Sequence, residues 1–275
     1  MKSGEIDYEL EKNIEVISQL DGLVGEAVDN ILVDPDKCWQ PSDFLPDFGD
    51  PDIHDQIKLL QQRSEGIPDT VFTSLVGNLI TEEALPSYQT YFNLLEGINP
   101  ERSLLSPSGW VRWSKSWTAE ENRHGDTGKL ADIAGDPVLG RICKQIAGDE
   151  ARHEKAYKSF MSAIFDIDPN GAILAFEKLM RKQIVMPAVL MGEGGKNPSL
   201  FTEFSAITQK VGIYTGWDYA RIIEHLVSLW KIESLTGLND VASKAQDYLV
   251  KLSDRYMRLA DRMKAPEEVK LAWLK

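Results

Sequence analysis

Residues 117–125 read WTAEENRHG and residues 149–157 read DEARHEKAY. Each stretch holds a Glu-x-x-His motif, Glu121-Asn-Arg-His124 in the first and Glu150-Ala-Arg-His153 in the second. A spacing of three residues puts Glu and His on one face of a helix, about one turn apart. The chain has 4 histidines, and two of them follow a Glu at this spacing. The motifs also continue apolar stripes. Trp113 and Trp117 step into Glu121 and His124, while Leu139, Ile142, Ile146, Glu150, His153, Tyr157 and Phe160 keep the three- and four-residue spacing of a buried face. A buried carboxylate is costly unless paired or bound to a cation. A solvated face or an internal Glu–His pair would explain one such motif; two on apolar stripes point to metal.

Two helices carrying this motif and facing each other form the ligand pattern of ferritin-like di-iron carboxylate bundles, which take a further carboxylate from each of two other helices. One candidate lies in 71–92. Val71, Leu75, Leu79, Glu82, Leu85, Gln89 and Phe92 share a helical stripe, with Glu82 the acid in it. Glu82 reads equally as a ligand or as a buried ion-pair partner. Glu83 is rotated by about 100° and points elsewhere. Pro86 removes a helical hydrogen bond and should distort the helix near the site.

The rest of the chain reads as helix after helix, an all-α protein with no period-2 segments. The 275 residues suffice for one large helical domain over 1–275. An irregular N-terminal segment is expected within 1–50, apart from an amphipathic helix at 8–32. A shortened bundle core should occupy 68–165, and C-terminal helices 170–275. Individual helices are expected at 52–64, 68–96, 107–133, 138–165, 170–185, 200–211, 216–234 and 241–263. Gly135-Asp136-Pro137 and Thr236-Gly237-Leu238-Asn239 read as turns, the latter a cap for the last long helix.

A net charge of −13 argues against a nucleic-acid partner, since phosphate would be repelled over most of the surface. No apolar run reaches the length of a membrane span. Cys38 and Cys143 lack metal spacing and fit a reducing compartment. Acidic Glu5, Asp7, Glu9 and Glu11 give the N-terminus no transit-peptide pattern.

Four segments together carry a family resemblance: KCWQPSDFLP at 37–46, TEEALPSYQT at 81–90, WTAEENRHG at 117–125 and DEARHEKAY at 149–157. They are similar, in order, to the soluble plant-type acyl-[acyl-carrier-protein] desaturases, and the similarity runs from about residue 11 into the C-terminal helix. The resemblance implies a ferritin-like, dimeric, plastid-stromal enzyme, with the cytoplasm as the alternative location for a chain without a transit peptide. It implies a cis double bond inserted into a saturated acyl chain on acyl carrier protein, using two Fe2+ ions, O2 and electrons from ferredoxin. Glu82, Glu121, His124, Glu150 and His153 match metal ligands, and no catalytic residue is implied beyond the metal site. Trp39 and Asp149 match an electron-transfer route, with Asp149 also a partner for a ligand His. Docking of an acidic carrier protein would need a local basic patch. Lys178, Arg181 and Lys182 form one candidate and Arg255, Arg258 and Arg262 another; solvated helix faces with no partner are the simpler reading of either.

The chain departs from the family at one place. Glu121 and Glu150 are 29 residues apart, whereas the resemblance implies a further long helix between them carrying a sixth ligand. The join falls at His124-Gly125-Asp126, and Asp126, Asp132 and Asp136 do not replace the lost acid. A hairpin folded at Gly135-Asp136-Pro137 would leave about twelve helical residues, or about 18 Å, on each arm and bring both motifs to one height. A working desaturase, a non-catalytic paralogue and an incomplete gene product keeping dimerisation or carrier-protein binding all remain open readings.

Overall fold

A computed structural model describes residues 3–83, 85–95, 98, 108–121, 136–182 and 200–263. Its elements are α1 (Ser3–Asn30), α2 (Ile53–Ser64), α3 (Asp69–Glu83), α4 (Pro86–Leu94), α5 (Gly109–Glu121), α6 (Pro137–Ile167), α7 (Pro169–Lys182), α8 (Leu200–Val211), α9 (Gly216–Leu229), α10 (Asp240–Val250) and α11 (Leu252–Ala260). Short 3-10 turns at Pro35–Lys37, Pro41–Phe44 and Ile232–Ser234 join them, and no strand occurs among the described residues. The fold is all-α and ferritin-like.

Helix α6 organises the molecule. Pro137 stands at its first turn, where a missing N–H costs nothing, and the Asp136 side chain accepts from the backbone N–H groups of Val138 and Leu139 at 2.9 and 2.8 Å. Arg63 of α2 grips the same carboxylate through Nε and Nη2. From this cap α6 runs 31 residues, about 46 Å at the helical rise, long enough to serve two cores. Its middle packs Ala156 and Phe160 against Leu20, Val24 and Ala27 of α1 and against Trp113 and Trp117 of α5. Its end places Phe165 in a second cluster with Ile173, Phe176, Ile223, Ile232, Leu249 and Leu252 from the C-terminal helices. A smaller cluster joins Val71 of α3 to Ile213 after α8.

The crossing of α1 and α5 depends on a small residue. A Cβ on Gly109 would run into the Asp21 carbonyl oxygen and the Gly25 backbone. The aromatic face of α5 then lies edge-on against α6, with Trp113 and Phe160 ring centroids 5.0 Å apart. Phe92 of α4 meets Trp117 at 6.2 Å from the other side.

Several elements differ from the sequence expectation. The helix expected at 68–96 is two, α3 and α4, because Pro86 supplies no N–H and takes the first position of a new helix. The helix expected at 8–32 begins earlier and runs Ser3–Asn30, and the segment after it is broken. The helix expected at 216–234 stops at Leu229, because Lys231 adopts the left-handed conformation (φ 49°) that ends many helices. The Gln246 side chain then donates to the carbonyls of Ile232 and Leu235. The last long helix divides after Val250, at a place where neither Pro nor Gly stands. Asn239 caps α10 as its sequence suggested, accepting from Val241 and Ala242. Residues 84, 96, 107, 122–133 and 183–185 of the expected helices lie outside the described residues, as does Gly135 of the expected turn.

Candidate metal centre

The centre is built where the last residues of α5 face the middle of α6. Glu121 ends α5, and Glu150 and His153 stand one turn apart on α6. One ligand atom from each of Glu121, Glu150 and His153 lies within 4.8 Å of the others. Nδ1 of His153 is 2.9 Å from Glu121 Oε1 and 3.8 Å from Glu150 Oε2. Glu121 and His153 are buried, with side chains 4% and 1% exposed, while Glu150 is 39% exposed. Two carboxylates and an imidazole are the donor types that borderline divalent ions such as Fe2+ take. Three such atoms converging in a mostly buried space fit a metal ion.

The other face of the imidazole meets an acid that sequence reasoning passed over. Nε2 of His153 is 2.9 Å from Oε2 of Glu120. Glu120 is the most buried acid among the described residues, at 1%. It also accepts from the Val33 backbone N–H at 2.5 Å and from Arg152 Nη2 at 3.0 Å. Arg152 donates in turn to Asp149 Oδ1 at 2.7 Å, and the Trp39 indole N–H donates to Asp149 Oδ2 at 3.0 Å. A continuous polar chain thus runs Trp39–Asp149–Arg152–Glu120–His153. Each motif is preceded in sequence by an acid, Glu120 before Glu121 and Asp149 before Glu150, but that pattern alone does not say which way either acid points.

Charges in the cluster reinforce one another. Burial works against protonation of His153, but hydrogen bonds to Glu120 and Glu121 and the charges of Glu121 and Glu150 outweigh it, raising its pKa to about 9. For Glu120, burial favours the neutral acid, yet the hydrogen bonds from His153 and Val33 and the charges of His153 and Arg152 hold its pKa below the usual range. Burial also opposes the charge on Arg152, and its bonds to Asp149 and Glu120 overcome it. A cation held by Glu121, Glu150 and His153 would take the place of a proton on His153 in offsetting the charge of these carboxylates.

The remaining expected residues are placed differently. Glu82 is buried near the end of α3, 6% exposed, but is not one of the three converging residues. His124, Asp126 and Asp132 lie outside the described residues. Tyr157, expected on the buried stripe, stays 40% exposed: its ring meets Trp113 and Trp117 edge-on, a contact that does not enclose it. Lys178, Arg181 and Lys182 lie exposed on α7. Arg181 pairs with Glu177 at 2.7 Å and its guanidinium sits 3.9 Å from the Tyr248 ring centroid. Arg255 and Arg258 are exposed on α11, with Arg262 just beyond it. Cys38 and Cys143 are thiols rather than a disulfide, the second buried.

A helical bundle with a buried Glu–His cluster shared between two facing helices is of the ferritin-like class. More particularly, this chain belongs to the fatty acid desaturase family, whose model matches residues 12–127 and 125–275. It is 40% identical to the chloroplastic stearoyl-[acyl-carrier-protein] 9-desaturase 2 of Oryza sativa subsp. indica, over 308 residues covering 91% of this chain and 77% of the relative. It is 39% identical to the chloroplastic stearoyl-[acyl-carrier-protein] 9-desaturase of Ricinus communis, with the same coverage. Against the chloroplastic stearoyl-[acyl-carrier-protein] 9-desaturase 6 of Arabidopsis thaliana it is 37% identical, over 96% of this chain and 84% of the relative. The family match breaks at one place, where residues 125–127 belong to both matched halves. That break coincides with the join read at His124-Gly125-Asp126. Among the described residues no helix is long and apolar enough to cross a membrane.

Proposed function

We propose that the chain is an acyl-[acyl-carrier-protein] desaturase, introducing a cis double bond into a saturated acyl chain, with a metal centre on Glu121, Glu150 and His153. The observation that carries this reading is the convergence of those three side chains within 4.8 Å, in a chain of the fatty acid desaturase family. His124 and Glu82 complete the proposed ligand set. Iron, when bound, supplies the activation of O2 needed to remove hydrogen from an unactivated C–H bond. Glu121 and Glu150 offset the cation's charge, and His153 offers the nitrogen that faces them. Trp113, Trp117 and Phe160 pack together on the same two helices that carry the three residues. Trp39 and Asp149 receive electrons from ferredoxin, the plastid stroma being the compartment that supplies it. The family resemblance supports a homodimer. Lys178, Arg181 and Lys182 supply positive charge for the acidic carrier protein.

One observation favours a second reading, binding without efficient turnover. The 308 aligned positions exceed the roughly 250 residues in 91% of this chain, so about sixty positions of the relative have no counterpart here, at a bundle site whose geometry is sensitive to missing support. Incubation of iron-reconstituted protein with stearoyl-acyl carrier protein, reduced ferredoxin and O2, followed by mass spectrometry of the acyl products, separates the two. A monounsaturated product lost in Glu121→Ala supports the desaturase; iron binding with no product supports the second reading.

A further inference from the structure

We infer that Glu120 is a positioning residue: by holding the proton on Nε2 of His153, it turns the lone pair of Nδ1 toward Glu121 and Glu150, where a cation would sit. The inference rests on the metal centre proposed above and adds to it a residue outside the ligand set.

An ionised carboxylate only accepts hydrogen bonds, and the Glu120 carboxylate is 1% exposed and 2.9 Å from Nε2. A lone pair on Nε2 at that distance would face negative charge with no water to separate them. Nε2 therefore carries the hydrogen. In a neutral imidazole the other nitrogen must then be the acceptor, and Nδ1 points at Glu121 Oε1 and Glu150 Oε2. Three acceptor groups facing one point repel unless a proton or a cation lies among them.

Glu120 suits this task because it is itself fixed. Oε1 takes the Val33 N–H and Oε2 takes Arg152 Nη2 as well as the imidazole. These donors come from the segment after α1 and from α6, so the carboxylate cannot rotate away without losing bonds to two separate elements. Asp149, gripped by the same Arg152 and by Trp39, secures the guanidinium from the far side. Partners of this kind set the tautomer of a ligating histidine, and their removal typically costs 10–100-fold in metal affinity.

Zn2+, which is diamagnetic, is the probe. Protein labelled with 15N-histidine and loaded with Zn2+ is examined by two-bond 1H–15N correlation, which reports which ring nitrogen holds the proton. The expected spectrum shows His153 protonated at Nε2 and metal-bound at Nδ1. Glu120→Ala is expected to weaken Zn2+ binding by about 10–100-fold in a competitive chelator titration. Glu120→Gln, which keeps a carbonyl oxygen for Nε2–H, should bind more tightly than Glu120→Ala. A wild-type spectrum with Nε2 on the metal, or Glu120→Ala binding as tightly as the wild type, overturns the inference and leaves the metal centre standing. Absence of any Zn2+ effect on His153 overturns both. The wild-type spectrum decides the matter even where the alanine variant fails to fold.

Discussion

The indole N–H of Trp39 and the carboxylate of Asp149 are 110 residues apart in sequence and 3.0 Å apart in space. This bond fastens the broken segment after α1 onto the helix that carries Glu150 and His153. Trp39→Phe keeps an aromatic ring against Phe44 and removes the donor, while Asp149 retains Arg152. The expected loss of stability is about 0.5–1.5 kcal/mol, read from urea unfolding. Iron content should be unchanged, and reduction of the loaded protein by ferredoxin, followed by stopped-flow absorbance, should be slower. Reduction at the wild-type rate would remove Trp39 from the electron route.

A second prediction concerns acid stability. The Arg63 guanidinium, outweighing the effect of burial, together with the N–H groups of Leu139 and Val138, lowers the Asp136 pKa from 3.8 to about 2. The folded state thus binds this proton more weakly than the unfolded chain. The contribution is complete above about pH 4 and is lost as pH falls toward about 2. Asp136→Asn keeps an N-cap acceptor but not the charge, and should flatten this part of the pH profile. Asp136→Ala should also lose the cap, about 1 kcal/mol at neutral pH. Urea midpoints between about pH 2 and about pH 5, which span the two values, check both. An Asn variant with the wild-type acid slope would show that the Asp136–Arg63 pair is not its source.

Gly109 gives a test with a diagnostic sign. At an open helix position Gly→Ala is stabilising, by about 1 kcal/mol. At position 109 the added methyl meets the Asp21 carbonyl and Gly25 of α1, so Gly109→Ala should destabilise, by about 1–3 kcal/mol. Thermal unfolding of the two proteins decides it. A higher melting temperature for the variant would mean that α1 and α5 are not in such close contact.

Much of this was legible in the residues. Trp113, Trp117, Ile146, His153 and Phe160 repeat at helical spacing, and burial on facing helices is what that spacing demands. Asp136-Pro137 and Asn239 announced helix starts through local chemistry, and both cap as that chemistry requires. Glu120 was not legible in the same way. Its bonds to His153 and Val33 span 33 and 87 residues and depend on how α5 is rotated against α6, which no local pattern states. The division of the last helix after Val250 is similar, since no residue there breaks a helix on its own. Pro86 was read as a distortion and stands at the start of a separate helix.

The break in the family match at residues 125–127 leads to a prediction about turnover. About sixty positions of the relative have no counterpart in this chain. If they are needed to support the site, as the second reading holds, the chain converts little or no stearoyl-acyl carrier protein, whereas the desaturase reading gives product without them. Inserting the corresponding segment of the Ricinus communis relative at that join should raise product yield by at least about a hundredfold, the scale on which small displacements of reacting groups act. Product mass spectrometry on both proteins is the check. Ready conversion by the uninserted chain would show that its own residues complete the site.

The central claim is that Glu121, Glu150 and His153 hold iron. It is tested most directly by measuring iron per chain after anaerobic reconstitution with Fe2+ and removal of excess metal, in the wild type and in Glu150→Ala and His153→Ala. Iron is predicted in the wild type, at fewer than two per chain, because three ligand residues converge among the described ones, and each substitution should remove most of it. Iron in the wild type no higher than in the two variants would contradict the account.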